Sequence, residues 1–380
     1  MVKYIYRKFK SAFNTFKFPD SWFWARYSIN PYSGCEHACI YCDARSDRYY
    51  LEQDFENEVI IKSNIAKQLD HRLTKARKLL PDVFGPGGVT DAYQPIERKV
   101  KNTRKILKVL LKHQFPVFIS TKSSLILRDI DLLRKIAKST WCTIAFTVTT
   151  LDQDLSAFLE PYSSTTRERL LCMKKLKEEA PEIQIGTNFM PIIPFLEDND
   201  DNLKGIVHKS KQAGADFILF ALGLTLRDSQ LKFFIRKLKI SKYQQYINPI
   251  LELCSQDSSS ECSKEYFKKK DLKLLKLCKN YGLKVRAERW IPKDYRKWNY
   301  VIAELILNKE YIQSIKGKPN LQMRFAGLYL NNLEESIINV YRRGELMRLK
   351  NFNSSLIEFV EPFLQKINKT EEKRGLDRFL

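Results

Sequence analysis

From Tyr27 to Ala221, short runs rich in β-branched and aromatic residues alternate with longer amphipathic segments, and this alternation restricts the fold more than any other feature. It predicts strands at Tyr27 to Tyr32, Phe55 to Ile61, near Val83, at Val117 to Thr121, Thr143 to Thr149, Ile183 to Met190 and Phe217 to Ala221. Helices are expected at Asn64 to Leu80, Pro95 to His113, Leu127 to Lys138, Thr165 to Ala180 and Asn202 to Ala213. Pro95 suits a first helical turn, Ile96, Val100, Leu107 and Leu110 keep a helical period, and Gly214 closes the last segment before the next strand. Such βα units wind right-handed around a parallel sheet. Six of them give an α/β fold, a partial (β/α)6 barrel of TIM type, with function at the carboxyl ends of the strands. That rim takes in the loops beginning at Ser33, Gly87, Thr121, Thr150 and Pro191.

Four regions follow. Residues 1–26 read as an N-terminal extension, 27–245 as the barrel core, 246–292 as an appended basic helix (Lys264 to Lys279) and strand (Gly282 to Glu288), and 293–380 as a helical C-terminal region. The polar segment Cys254 to Ser263 reads as an exposed loop. No run is apolar enough to span a bilayer, and the basic, aromatic start lacks a signal peptide's apolar centre, so a cytoplasmic protein without membrane contact is expected. Lys and Arg exceed Asp and Glu, 66 to 44, for a net charge of +22, which favours a polyanionic partner such as DNA or RNA.

"NPYSGCEHACIYCDAR", from Asn30 to Arg45, holds Cys35, Cys39 and Cys42 in the spacing C-x3-C-x2-C. A cytoplasmic chain of this size needs no disulfide staples, so the trio reads as soft metal ligands or reactive thiols, and the scattered Cys142, Cys172, Cys254, Cys262 and Cys278 as ordinary packing residues. A structural zinc needs four ligands; His37 or a distant Cys would have to complete the set. An iron–sulfur cluster held by three thiolates leaves one iron open, as a catalytic site requires.

The pattern C-x3-C-x-aromatic-C, with Tyr41 before the last Cys, resembles the signature of the radical S-adenosylmethionine (SAM) enzymes. "GGVTDAYQPIERK" from Gly87, "ISTKSSLILRDIDLL" from Ile119, "FTVTTLDQDLSAFLEP" from Phe146 with Arg167 and Arg169 after it, and "PIIP" at 191–194 are similar to its spore photoproduct lyase-like branch. The resemblance implies a four-iron four-sulfur cluster on Cys35, Cys39 and Cys42, with SAM on the open iron. It implies reductive SAM cleavage to a 5′-deoxyadenosyl radical, and an electron donor such as a ferredoxin or flavodoxin. SAM contacts would come from Tyr41 near adenine, Gly88, Thr90 and Asp91 at the amino group, Lys122 and Arg169 at the carboxylate, and Thr149, with Thr150, at ribose.

Relatives in that branch have a Tyr directly after the last cluster Cys and a hydrogen-donating Cys near the second strand. Here Asp43 follows Cys42, and no Cys lies between Asp43 and Trp141. Tyr93 is an alternative hydrogen relay, and Arg227 in "GLTLRD" a substrate-facing group. The expected activity is thus radical SAM chemistry on a nucleic acid, as DNA repair or modification, with a protein or small molecule as the alternative substrate. A zinc-dependent nucleic-acid-binding protein is the reading outside enzymology.

Overall fold

Among the described residues ten strands carry the topology: β1 (Lys3–Arg7), β2 (Asn14–Thr15), β3 (Tyr27–Ile29), β4 (Tyr32–Ser33), β5 (Glu58–Lys62), β6 (Phe84–Pro86), β7 (Val117–Thr121), β8 (Cys142–Thr147), β9 (Gln184–Ile192) and β10 (Phe217–Leu222). The computed structural model describes residues 2–49, 54–77, 79–254 and 261–376. They divide into two units, one built from the N-terminal residues to Phe16 with Trp22–Glu288, the other from Lys17–Ser21 with Arg289 and the residues beyond it.

In the larger unit, β3, β6, β7, β8, β9 and β10 lie side by side, all parallel, and β2 adds an antiparallel edge next to β3. This is the open six-stranded α/β arrangement of a partial barrel. All six residues of β8 are buried, as a central parallel strand covered on both faces demands. Register is tight where β9 meets β10: a Cβ on Gly186 would stand 2.3 Å from the ring of Phe217, its partner in the ladder.

Between and after the strands run α1 (Ile65–Lys75), α2 (Glu97–Val100), α3 (Asn102–Lys112), α4 (Ile130–Ser139), α5 (Gln153–Leu159), α6 (Thr166–Glu179), α7 (Asp200–Gln212), α8 (Asp228–Lys239), α9 (Ile247–Cys254) and α10 (Glu261–Asn280). Thr165 and Glu168 close a capping box at the start of α6, and Asn199 caps α7 through the N–H of Asn202. Both helices begin close to where the sequence places them.

Three expectations need correction. The run Phe55 to Ile61 forms β5, but outside the main sheet: it pairs parallel to β1 and antiparallel to β4 in a separate three-stranded sheet. Tyr32, Val59, Ile61 and Ile96 form the small core that holds it there. The helix expected over Pro95 to His113 breaks at Lys101, which has φ +57. The cause is Glu97, fully buried, whose carboxylate accepts from the N–H of Thr103 (2.9 Å) and so caps α3 from within the preceding turn. Gly282 to Glu288 makes no strand: Lys284 bridges once to Phe217, and the chain then leaves the sheet edge, with Trp24 Nε1 donating to the carbonyl of Ala287 (3.0 Å). The 1–26 segment, read as an N-terminal extension, contributes β1 and β2. Of the loop expected at Cys254 to Ser263, residues 255–260 lie outside the described residues.

The smaller unit is helical: α11 (Lys297–Ile315), α12 (Leu321–Leu330), α13 (Ile337–Arg342) and α14 (Ser354–Leu376). Its core includes Ile302, Ile306, Ala326, Leu330, Ile337, Val360 and Leu364. Buried Asn299 ties α11 to the start of α13, donating to the carbonyl of Glu335 (2.8 Å) and accepting from the N–H of Ile337 (2.7 Å). No helix among the described residues is long and apolar enough to cross a membrane.

Candidate active site

The cysteine loop begins where β4 ends and turns at Gly34 (φ +86) and Ala38 (φ +52). A side chain at positive φ is uncommon and must be held in place. Arg45 does this, donating from Nε to the carbonyl of Cys39 (3.0 Å) and from a terminal nitrogen to that of Ala38 (3.1 Å). Its guanidinium lies between the rings of Phe55 and Phe233 (4.6 and 3.7 Å to the centroids) and pairs with Glu56. On the other side, Glu36 accepts from the Tyr4 hydroxyl and the N–H of Ile96, both at 2.7 Å, while Gln94 bridges the N–H of Glu36 and the carbonyl of Gly34. The loop is therefore shaped before anything binds to it.

Cys35, Cys39 and Cys42 are all free thiols, the first two buried and the third half-buried. Burial pushes the Cys35 thiol up to about 12, with the Asp91 carboxylate adding to it. Burial likewise raises Cys39 and Cys42, and in both the Lys122 ammonium pulls the other way. Such thiols stay protonated unless a metal takes the proton's place.

Lys122, at the end of β7, holds its ammonium 5.7 Å from the centroid of the Tyr41 ring. Burial disfavours its charge, yet the neighbouring Cys39 and Glu160 hold its pKa above the ordinary lysine value. The ammonium makes no hydrogen bond or ion pair among the described residues, so its donors are available to an anion. Tyr41 donates its hydroxyl to Glu160, and Glu160 also pairs with Arg169. Arg169 is only 1% exposed and committed: it donates to the carbonyls of Thr147 and Ser164 (2.7 Å each) and to the Ser163 hydroxyl (2.6 Å). These bonds make it the anchor of α6 to the end of β8, with Glu160 as the charge that compensates it.

Asp91 is equally committed. Its carboxylate accepts from the N–H groups of Tyr93 (2.8 Å) and Lys122 (2.7 Å) and from the Thr121 hydroxyl (2.8 Å), and lies 3.4 Å from His37 Nδ1. Burial alone would raise its pKa; the His37 side chain and the two amides hold it well below the usual carboxylate range. Asp91 thus ties the β6 and β7 loops to the cysteine loop. The turn before it needs Gly87, at φ +80, because a Cβ there would stand 2.7 Å from the carbonyl oxygen of Thr90. Gly88 is exposed and uncrowded, and Thr90 is buried with its hydroxyl toward the Tyr32 carbonyl (3.4 Å).

Thr149, just past β8, stands beside Glu197, a residue the sequence reading passed over. Glu197 is fully buried after β9, and burial raises its carboxyl to about 8, the Thr149 hydroxyl and the N–H of Ile193 tempering the rise. Its Oε1 and the Oδ1 of nearby-strand Asn188 are buried without a hydrogen-bond partner among the described residues. No motif announced either residue; only the fold brings β9 against β8. Tyr93 is fully buried, beside Asp129 and Glu97. Arg227 pairs with Asp43 at 2.7 Å and donates to the Ser46 hydroxyl at 3.1 Å, so the position after the last loop Cys is filled by an ion pair.

The radical SAM superfamily model matches residues 29–206, and a protein of Methanocaldococcus jannaschii is 33% identical over 198 residues, covering 52% of this chain and 70% of that one. The chain belongs to the radical SAM superfamily. A protein of Mycobacterium tuberculosis H37Rv is 29% identical over 214 residues, covering 55% of this chain, which thus spans 62% of that relative's length. Two solved mutants of spore photoproduct lyase share the fold, with TM-scores of 0.53 and 0.52 at 14% and 13% identity, each covering 73% of this chain and 79% of the other. Membership of this enzyme superfamily implies SAM and an iron–sulfur cluster. The residues present fit that pair: three free thiols on one preformed loop, with an uncommitted ammonium facing them. Among the described residues no three His, Cys, Asp or Glu side chains converge on a point that would hold a single metal ion.

Proposed function

We propose that the protein reductively cleaves SAM at a four-iron four-sulfur cluster held by Cys35, Cys39 and Cys42, and uses the resulting radical on a nucleic acid, in repair or modification. Lys122 is the observation that carries this reading. It is the uncommitted cation beside the three thiols, and its strand-end position suits the carboxylate of SAM. Cys35, Cys39 and Cys42 would hold the cluster, which would supply the single electron needed to cleave the sulfonium bond of SAM to methionine and a 5′-deoxyadenosyl radical. The chain's own residues position and shield. Tyr41, pinned by Glu160, gives a flat apolar face for the adenine; Asn188 and Glu197, the latter beside Thr149, offer buried oxygens in want of partners among the described residues. Arg169 and Asp91 hold the strand-end loops in register through their bonds to the backbone.

The nucleic-acid substrate is supported by the net charge of +22. That the Asp43–Arg227 pair occupies the place after the last cysteine argues for a reaction other than thymine photoproduct repair. Anaerobic reconstitution and dithionite reduction with SAM should release 5′-deoxyadenosine, and its absence from a fully reduced protein would refute the reading. Lys122→Ala, with iron and sulfide content unchanged, should weaken SAM binding about tenfold or more, as loss of a charge-assisted contact does; equal affinity would remove Lys122 from the site.

A further inference from the structure

The loop between β9 and α7 carries an aromatic ring that has no part in the SAM site. Phe195, two residues before Glu197, has φ +65 and is 37% exposed. A bulky side chain in the left-handed region is an outlier and persists only where its surroundings hold it. Here the N–H of Phe195 donates to Asp198 Oδ1 (2.9 Å), and two further rings flank it. Tyr246, in the turn Gln244–Tyr246, lies nearly parallel to Phe195 (9°, centroids 6.4 Å apart), and the Tyr266 ring of α10 has its centroid 5.8 Å from that of Phe195. Both tyrosines are half-buried, and Tyr266 is fixed by donating its hydroxyl to Asp198. Lys270 pins α10 to the same loop, donating to the carbonyl of Asp198 (2.6 Å). Beyond the rings α10 is basic, with seven lysines against three acidic residues, so its open side is cationic. Lys269, Lys273 and Lys276 follow Tyr266 along one side of the helix at helical spacing. Lys273 pairs with Asp200, whereas Lys269 and Lys276 are exposed and bonded to no carboxylate among the described residues.

We propose that Phe195, with Tyr246 and Tyr266, is a stacking platform for an unpaired base, and that Lys269 and Lys276 hold the adjoining phosphates. The inference rests on the nucleic-acid reading and narrows it, since the substrate is then bound as a single strand. An exposed flat ring beside cations suits a single strand, because every base has a π face and every step carries a phosphate. A duplex keeps its base faces in the stack, and a nucleotide has to leave that stack before chemistry in a barrel mouth can reach it. An acidic protein would share the attraction to the lysines, but it would not call for an exposed ring held at a positive φ.

The probes are a short single-stranded oligonucleotide, as DNA and as RNA, and its duplex, each dye-labelled and titrated with the cluster-containing protein by fluorescence anisotropy. The single strand should bind more tightly than the duplex. Phe195→Gly removes the ring and relieves the positive φ; it should weaken single-strand binding about fivefold or more, while Phe195→Trp should retain it. Lys269→Ala combined with Lys276→Ala should lower the slope of log K against log salt by about 1.4. Both lysines are exposed, so this variant decides the matter even where a loop variant fails to fold. Tighter binding of the duplex, unchanged affinity in a folded Phe195→Gly protein, or an unchanged salt slope in the lysine variant would each overturn the platform and leave the nucleic-acid reading standing. Absence of binding to every oligonucleotide, with 5′-deoxyadenosine still released under dithionite, would overturn both and favour a protein or small molecule as substrate.

Discussion

Glu197→Gln tests the electrostatics of the site in a quantity that needs no substrate. A carboxyl raised from 4.5 to about 8 binds its proton more tightly in the folded chain than in the unfolded one. Between those pH values the native state holds more protons, so this residue lowers stability progressively as pH rises from about 4.5 to about 8, and adds no further pH dependence above that. At 1.36 kcal/mol per pH unit the displacement amounts to at most roughly 5 kcal/mol. Glutamine keeps the shape and offers an oxygen to the N–H of Ile193, now 2.9 Å from Glu197 Oε2, while removing the titration. The stability difference between variant and parent should therefore move in the variant's favour by several kcal/mol between pH 5 and pH 8. Urea unfolding of the cluster-free protein at a series of pH values measures it. A difference that stays flat across that range would show that Glu197 is not held neutral by burial, and would take with it the argument that its Oε1 awaits a polar partner.

Three further outcomes follow from the same network. Glu160→Gln strands the buried Arg169 guanidinium, and should cost about 3–5 kcal/mol of unfolding free energy, with Tyr41→Phe much milder; denaturant titration decides, and a loss below about 1 kcal/mol would contradict the burial. Asp91→Asn should destabilise by about 1.5–3 kcal/mol at neutral pH. Because the Asp91 carboxyl is depressed in the fold, that deficit should be full above about pH 4 and shrink as pH falls below the usual carboxylate range, measured against the parent. Gly186→Ala drives a methyl group into the Phe217 ring between β9 and β10 and should lower stability by about 1–3 kcal/mol or more, read by thermal melting.

The parts of this protein that rest on local order are legible in its residues. Alternating strand and helix patterns set the parallel sheet, Thr165 marked the start of α6 by its own side chain, and three cysteines within eight residues marked a loop of soft ligands or reactive thiols. What was not legible is everything that depends on which distant segments meet. The β-rich run at Phe55 to Ile61 reads the same whether it joins the barrel or another sheet, and only the presence of β1 and β4 decided the second. Arg169 reads in sequence as a contact for the SAM carboxylate; in the fold it lies buried, with Thr147, Ser164 and Glu160 closed around it. Arg45 and Glu197 had no sequence signal, since a guanidinium between two rings and a carboxyl without water are properties of neighbours. Spacing fixes ligands that share a loop, whereas burial and charge compensation exist only once the chain has closed on itself.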